Sequence, residues 1–412
     1  MIKEIHFKNW KSFREAVLMI DPLTVLIGAN ASGKSNALDG FRFLNRIAMG
    51  MDLTSALVGD ASKTGIRGGV EWASLKPNKE FTLDILFGVD DHLDYLYSIT
   101  VQTIPQVLLK CESLKRIKYT GKHKTRTYQI NLFWTDPLSV EVPAITARLY
   151  NEHRGKSKDC SRSKSILQQL HGQALRQEIA EGINYVVGSL ANIFILDPAP
   201  NLMRGFSAFS MGLEENASNI AGVIAALAKE KKDKVISTIS KYANSLPEKD
   251  IKKVWAEPVG LFQTDAMLYC EEKWVDGNGS ITVDARSMSD GTLRFLAVLT
   301  ALLTRPENSQ IIIEEVDNGL HPSRAGLLLG ILDEIGQERK IDVLITTHNP
   351  ALLDELGSAM IPFIVVANRN TENGTSELRL LEDIESLPKM LASGTLGGIT
   401  AKGLIEKSLK QV

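Results

Sequence analysis

The stretch from Gly28 to Ser35 reads GANASGKS and matches the pattern G-x-x-x-x-G-K-[ST] at every defined position. Glycines let the backbone turn its N–H groups inward, where they can donate hydrogen bonds to phosphate oxygens. Lys34 can reach the β- and γ-phosphates of a nucleotide, and the Ser35 hydroxyl can ligate Mg²⁺. The stretch therefore predicts a phosphate-binding loop, with a plain glycine turn as the alternative.

Two adjacent carboxylates, Glu314 and Glu315, follow the apolar run at residues 311–313. Because neighbouring residues of a strand face opposite ways, each of the two carboxylates can serve a different task. Glu314 would hold Mg²⁺ or its waters, and Glu315 would orient or deprotonate the attacking water. The alternative is a pair of solvent-facing acids at the end of a strand.

A single histidine, His348, follows the next buried run at residues 341–345. Beside the γ-phosphate it could donate a hydrogen bond to that group. A lone histidine is more often structural, but its position one strand after the acidic pair favours the functional interpretation.

The string SMSDGTLR at residues 287–294 precedes an apolar helix. Ser289 and Gly291 at a helix N-terminus predict a second anion site that has no lysine of its own. A simple N-cap at Ser289 or Asp290 is the alternative. Two anion sites for one nucleotide favour a head-to-tail dimer, in which the Ser289 helix of each chain closes the phosphate loop of the other.

The elements that must position these residues alternate between strands and helices. Leu23–Ile27 predicts a strand buried on both faces, and residues 36–48 predict the helix after the loop. Residues 81–128 indicate an antiparallel β lobe, and residues 165–258 indicate a mostly helical, compact insert without a coiled-coil arm. After residue 280 we predict helices at 291–304, 324–339 and 351–356, and strands at 310–313, 341–346, 361–367 and 378–381.

The amino-acid composition excludes several classes of protein. Lys and Arg total 47 and Asp and Glu total 49 among 412 residues, so the formal charge is −2. A near-neutral chain does not hold nucleic acid by bulk charge alone. Three scattered cysteines, Cys111, Cys160 and Cys270, exclude a disulfide scaffold and a cysteine zinc site. Without a signal sequence or an apolar run of membrane-spanning length, we expect a soluble, cytoplasmic protein.

Charge is unevenly distributed along the chain. Between Lys110 and Lys164, 13 Lys or Arg residues stand against 5 Asp or Glu residues, a local excess of 13 − 5 = +8. This stretch is either a solvated surface or a site for nucleic acid or an acidic partner.

The order of the motifs resembles the head of ABC-class ATPases, in the RecF, SMC and OLD-like group rather than the transporter group. Residues 7–13 (FKNWKSF) are similar to the opening of that group, and the loop reads G-x-N-x-x-G-K-S-N, with Asn30 and Asn36. The string EEVDNGLHP at residues 314–322 resembles small, arm-less bacterial AAA/ABC ATPases. Residues 196–200 (LDPAP), 219–221 (NIA) and 393–397 (SGTLG) are similar to that subfamily too.

The resemblance implies an α/β fold with a mostly parallel core sheet, an antiparallel β lobe and a helical insert. The domains would be an N-terminal half of the head (1–130), a basic and helical insert (131–260) and a C-terminal half (261–412). It also implies contact of Ser289 and Gly291 with the γ-phosphate bound to another subunit. The implied nucleotide-binding residues are Gly28, Asn30, Ala31, Ser32, Gly33, Lys34, Ser35, Asn36, Ser289 and Gly291.

Two positions depart from the pattern of the family. Glu314 replaces the usual aspartate, which keeps the charge but lengthens the side chain and could slow turnover. Gln102 is only a weak candidate for the glutamine of the Q-loop. No acidic cluster after Ala367 is long enough for a fused nuclease domain, so a nuclease activity would belong to a separate partner.

Together these features predict a cytoplasmic ATPase that uses ATP and Mg²⁺, with Glu315 and His348 catalytic and Ser35 and Glu314 on the metal. ATP would close a homodimer or a higher even oligomer and so gate a nucleic-acid site or a separate effector. Members of the group often work beside nucleases or toxins in DNA repair and anti-phage defence. The alternative is a scaffold that binds ATP, hydrolyses it little, and holds or inhibits an effector.

Overall fold

The computed structural model describes residues 1–61, 63–120, 126–136, 142–246, 250–273, 279–319 and 321–409. The chain forms two compact units, each built from separate segments. The first contains Met1–Ile193, Phe363–Ile384 and Glu406–Val412, and the second contains Phe194–Pro362 and Glu385–Ile405. The division into segments 1–130, 131–260 and 261–412 stays a prediction.

The helices and strands alternate along most of the chain. The strands are β1 Ile2–Trp10, β2 Phe13–Met19, β3 Leu23–Ile27, β4 Glu80–Asp90, β5 Leu93–Gln102, β6 Leu108–Thr120, β7 Arg126–Thr135, β8 Ala144–Leu149, β9 Lys156–Ser161, β10 Ile193–Leu196, β11 Ser207–Ala208, β12 Ile251–Val259, β13 Asp265–Lys273, β14 Ser280–Asp284, β15 Gln310–Ile313, β16 Asp342–Thr347, β17 Ile364–Arg369 and β18 Ser376–Leu380. The helices are α1 Lys34–Ala48, α2 Leu53–Val58, α3 Ile166–Leu170, α4 Gln177–Ala191, α5 Pro200–Met203, α6 Ile220–Ala226, α7 Lys229–Asn244, α8 Asp290–Thr304, α9 Ala325–Arg339, α10 Pro350–Leu356, α11 Leu387–Leu391, α12 Leu396–Ala401 and α13 Leu404–Leu409.

The first unit is organised around a sheet with strand order β3-β17-β18-β2-β1-β4-β5-β6-β7-β8-β9. β3 pairs in parallel with β17, and all five of its residues are buried. From β2 to β9 successive strands pair antiparallel, and α4 packs against β5, β6 and β7. The predicted buried strand and the predicted antiparallel lobe are therefore confirmed.

The second unit contains the parallel pair β15–β16 and a smaller antiparallel sheet with order β11-β13-β12, in which β14 also pairs with β13. Helices α6 and α7 pack on β12, and α8 and α9 contact each other. Parallel pairs in the core and an antiparallel lobe confirm the predicted mixed α/β class.

Several short segments differ from the prediction, among them the strands β10, β11 and β12 inside the region 165–258 that was expected to be mostly helical. Residues 251–258 were predicted within a helical region, but they form strand β12, where Val254 and Ala256 are buried and Trp255 is half-buried. The adjacent Lys252 and Lys253 conceal this alternation in the sequence. The strand predicted at 361–367 begins only at Ile364, because Ser358–Phe363 form a 3₁₀ helix that contains Pro362. Proline has no N–H to donate to a strand ladder.

Candidate functional site

The loop between β3 and α1 has a backbone that only glycine can adopt at two positions. Gly28 has φ 147°, and a Cβ there would lie 2.2 Å from the carbonyl oxygen of Ala367. Gly33 has φ 114°, and a Cβ there would lie 2.6 Å from the Ser376 hydroxyl. The two defined glycines of the motif are thus required by the close approach of β17 and β18.

The loop and the first turn of α1 fit a phosphate group. Gly33 is the N-cap of α1, no side chain caps this end, and the first turn carries no acidic residue. Helical N–H groups without a side-chain cap favour an anion. The Ser32 hydroxyl is buried without a hydrogen-bond partner. Lys34 Nζ donates to the carbonyl oxygens of Gly28 (2.5 Å) and Ala29 (3.0 Å), so the ammonium group lies over the loop.

Asn30, Ala31 and Asn36 take different places around the loop. Asn30 and Ala31 are exposed, and Ala31 has φ 63°, a left-handed conformation inside the turn. Asn36 lies in the first turn of α1. Its side-chain Nδ2 donates to Ser12 Oγ at 2.7 Å, and its backbone carbonyl oxygen accepts from Trp10 Nε1 at 2.7 Å. Through Asn36, the N-terminal FKNWKSF string supports the helix after the loop.

Sequence reasoning missed a charged cluster beside this helix. Asp39 of α1 is fully buried and forms ion pairs with Lys11 and, at 3.0 Å, with Arg42. Burial lowers the pKa of Lys11, and Asp39 opposes this shift. An aspartate on the apolar face of α1 was the signal in the sequence, because a buried carboxylate requires a cationic partner. The cluster ties the N-terminal string to α1 a second time.

The acidic pair lies just beyond β15, not within a strand. β15 ends at Ile313, and Glu315 has φ 48°, a left-handed backbone that extended strands do not contain. The prediction that the two carboxylates alternate as strand residues is therefore wrong. The Thr346 hydroxyl accepts a hydrogen bond from the Glu315 N–H at 2.8 Å and stabilises this turn.

Within the second unit, the structure brings Glu315 and His348 together. His348 directly follows β16, which pairs with β15 so that Ile313 lies opposite Ile345. Its Nδ1 lies 3.9 Å from Glu315 Oε1, and the side chains are 52% and 43% exposed. A carboxylate and an imidazole at this separation, both open to solvent, can share the work of orienting a water and a phosphate.

Helix α8 begins at Asp290, inside the string at residues 287–294, and both interpretations of Ser289 and Gly291 require a helix start there. Ser289 is the N-cap of α8, and its hydroxyl accepts a hydrogen bond from the Thr292 N–H at 3.1 Å. A Cβ on Gly291 would lie 2.5 Å from the carbonyl oxygen of Gly319, so glycine permits contact with the segment after the acidic pair. The N-cap is therefore present, and the role of Ser289 and Gly291 in binding phosphate stays a prediction.

The basic stretch is partly neutralised by ion pairs. Lys110 pairs with Glu80, Arg116 with Glu178 at 3.6 Å, and Arg148 with Asp136 at 2.7 Å. Residues 121–125 and 137–141, which include Lys122 and Lys124, lie outside the described residues. Within the described ranges, no group of three or more His, Cys, Asp or Glu residues could hold a metal, and no helix is long and apolar enough to cross a membrane.

Comparison with known proteins defines the class. Residues 23–354, more than half of the chain, match the family described as "AAA domain, putative AbiEii toxin, Type IV TA system". The chain belongs to this family and is an AAA/ABC-type ATPase of the RecF/SMC-like group.

A local sequence match points to the same group. The chain is 52% identical over 44 residues to the chromosome partition protein Smc of Methanococcus voltae. The match covers 10% of this chain and 4% of that protein, so it spans a small part of that relative's length.

Solved structures of Smc heads align with most of the chain at low identity. The Smc head domain from Pyrococcus furiosus, with an extended coiled coil and bound to the C-terminal domain of ScpA, is 12% identical with a TM-score of 0.49, over 95% of this chain and 99% of that chain. The head domain from Thermotoga maritima is 13% identical with a TM-score of 0.44, over 92% of this chain and 98% of that chain.

Proposed function

We propose that the protein is a Mg²⁺-dependent ATPase in which ATP closes a head-to-tail homodimer and hydrolysis opens it. The observation that carries this proposal is the loop from Gly28 to Lys34. Its glycine conformations, its uncapped helix N-terminus and the lysine above it together suit a nucleoside triphosphate. The family to which the chain belongs supports ATP as the nucleotide.

Each residue of the proposed site has a task. The backbone N–H groups of the loop bind phosphate oxygens, with Ser32 adding a buried hydroxyl, and Lys34 neutralises their charge. Asn30 and Asn36 are the remaining side chains that we assign to nucleotide binding. Ser35 and Glu314 are the proposed protein ligands of Mg²⁺, which when bound withdraws charge from the phosphates.

Hydrolysis is assigned to the pair beyond β15 and β16. Glu315 Oε accepts a proton from the attacking water and orients it. His348 donates a hydrogen bond to the γ-phosphate from a position 3.9 Å from the Glu315 carboxylate. Ser289 and Gly291 bind the γ-phosphate held by the other subunit, which makes the dimer sensitive to the state of the nucleotide.

The dimer would gate a nucleic-acid site in the basic stretch or a separate effector protein. We propose phage defence or DNA repair as the setting, and the family description, which names a putative toxin of a type IV toxin–antitoxin system, supports a role that involves a toxin. We also propose that the protein acts in the cytoplasm. Lys115 and Lys118 lie in this stretch without an ion pair among the described residues.

Phosphate release at saturating ATP tests the proposal. The purified chain should hydrolyse ATP with added Mg²⁺, lose the activity in excess chelator, and form dimers in light scattering when ATP is present. Comparing the hydrolysis rate with and without single- and double-stranded DNA shows whether DNA stimulates the ATPase. Tight ATP binding with no turnover under any condition would instead support the ATP-gated scaffold. The longer side chain of Glu314, in place of aspartate, would then be the physical reason for the slow turnover.

A further inference from the structure

The second unit exposes large apolar side chains on two short segments. One segment runs from α5 through β11 to Met211, and the other is the turn between β12 and β13. We call these side chains the apolar tip. The exposed fractions are Met211 98%, Leu261 91%, Phe262 83%, Phe206 62%, Leu202 50% and Phe209 41%.

The two segments are joined by backbone hydrogen bonds. β11 pairs antiparallel with the start of β13, so that Ser207 lies opposite Ala266. The Phe209 N–H donates to the carbonyl oxygen of Thr264 at 2.9 Å. The two segments that carry the exposed side chains therefore lie side by side in the second unit.

The area of the tip is large for an unpartnered surface. At ~200 Å² for each large side chain, the exposed fractions amount to roughly 850 Å², more than the ~300–600 Å² of the largest apolar patch on a typical monomer. A specific interface buries about 800 Å² on each partner. The tip alone offers the area that one side of a stable dimer needs.

A single arginine connects the tip to the loop that precedes α8. Arg204 Nη1 donates to the carbonyl oxygens of Ala285 (3.1 Å), Arg286 (3.0 Å) and Met288 (2.7 Å). Its Nη2 donates to Asp290 Oδ1 at 2.5 Å. Since Phe206 is two residues from Arg204, the tip begins within ~7 Å of the residue that holds this loop.

We propose that the apolar tip and the Ser289 loop form one docking surface whose occupant is a second copy of this chain. This inference rests on the proposed function, in which Ser289 and Gly291 face the nucleotide of the other subunit. Because Arg204 ties the tip to that loop, the tip is placed to contact the same subunit. The tip residues carry no charge, which suits an apolar protein surface and not a phosphate backbone. Apolar burial by the tip adds to the ATP contacts in closing the dimer.

The test uses the full-length chain with Glu315→Gln, which is expected to hold ATP unhydrolysed. Leu261→Ser combined with Phe262→Ser removes the two side chains of the turn. Ile281→Ser is the matched control, because Ile281 is an exposed apolar residue opposite Glu272, at the other end of β13. Analytical ultracentrifugation over a range of protein concentrations gives the dimer dissociation constant with ATP, and calorimetry gives ATP binding per chain.

We expect the double variant to weaken the ATP-bound dimer at least tenfold while each monomer binds ATP normally, and Ile281→Ser to change neither. A double variant that dimerises like its parent overturns the docking surface. The docking surface is also overturned if the Glu315→Gln chain without tip substitutions binds ATP but stays monomeric. In that case the nucleotide-binding part of the proposed function still stands. A parent that binds no ATP contradicts the proposed function and this inference together.

Discussion

The phosphate loop of the first unit and the Glu315–His348 pair of the second are built in opposite ways. The loop consists mainly of backbone, with two glycines pressed against β17 and β18 and a buried Ser32 hydroxyl. The pair consists of two half-exposed side chains at the ends of neighbouring strands, 3.9 Å apart. A backbone site resists change because its shape is enforced by close contacts, whereas a side-chain site depends on the groups themselves.

This difference predicts which measured property each substitution changes. Changes in the pair should alter the rate of hydrolysis and leave ATP binding intact. Changes in the loop should alter ATP binding or the stability of the first unit.

Glu315→Gln is expected to have the largest effect. Loss of the general base should lower kcat about 1,000-fold, within the range for such groups, while the Kd for ATP changes less than about threefold. The amide keeps the size of the side chain, so the turn held by Thr346 should remain. Steady-state phosphate release and calorimetry measure both quantities, and a normal kcat would assign the base to another residue.

Lys34→Ala should weaken ATP binding about 100-fold, because the lost charge-assisted contacts are worth roughly 3 kcal/mol. Isothermal titration calorimetry with the exposed Lys79→Ala as control gives the comparison. Unchanged ATP affinity in the Lys34 variant would remove the loop from the nucleotide site.

Gly28→Ala should destabilise the first unit by about 2–3 kcal/mol, from the backbone strain and the contact with Ala367. Gly69→Ala is the matched control, since Gly69 also has a positive φ (51°) but, among the described residues beyond its chain neighbours, no atom lies within 4 Å of its Cβ position. The control should lose only about 1 kcal/mol. Chemical denaturation measures both, and equal losses would show that the contact with β17 is unimportant.

His348→Ala should have the smallest effect, a decrease in kcat of about tenfold from one lost hydrogen bond to a charged group. His348→Gln, which can still donate, should recover part of the rate. If neither variant differs from the unsubstituted chain in phosphate release, His348 is structural and Glu315 alone of the two residues takes part in hydrolysis.

The local features were predicted well from the sequence. The strand Leu23–Ile27, the following loop and α1 form one contiguous stretch, so apolar runs and glycines identify it without knowledge of distant residues. The prediction for Glu314 and Glu315 was correct about their place after a buried strand but wrong about the backbone. The left-handed turn at Glu315 depends on Thr346, and a hydrogen bond across 31 positions leaves no local pattern.

The sequence by itself determined the class of chemistry, because the phosphate loop is made of neighbouring residues whose types dictate the backbone. Only the tertiary structure decided that His348 faces Glu315, that Asp39 is buried against Lys11, and that Arg204 holds the loop before α8. Each of these contacts depends on strand register or helix packing between distant segments. The same holds for the apolar tip, whose residues look like ordinary core in the sequence but are exposed in the fold, where β11 pairs with the start of β13.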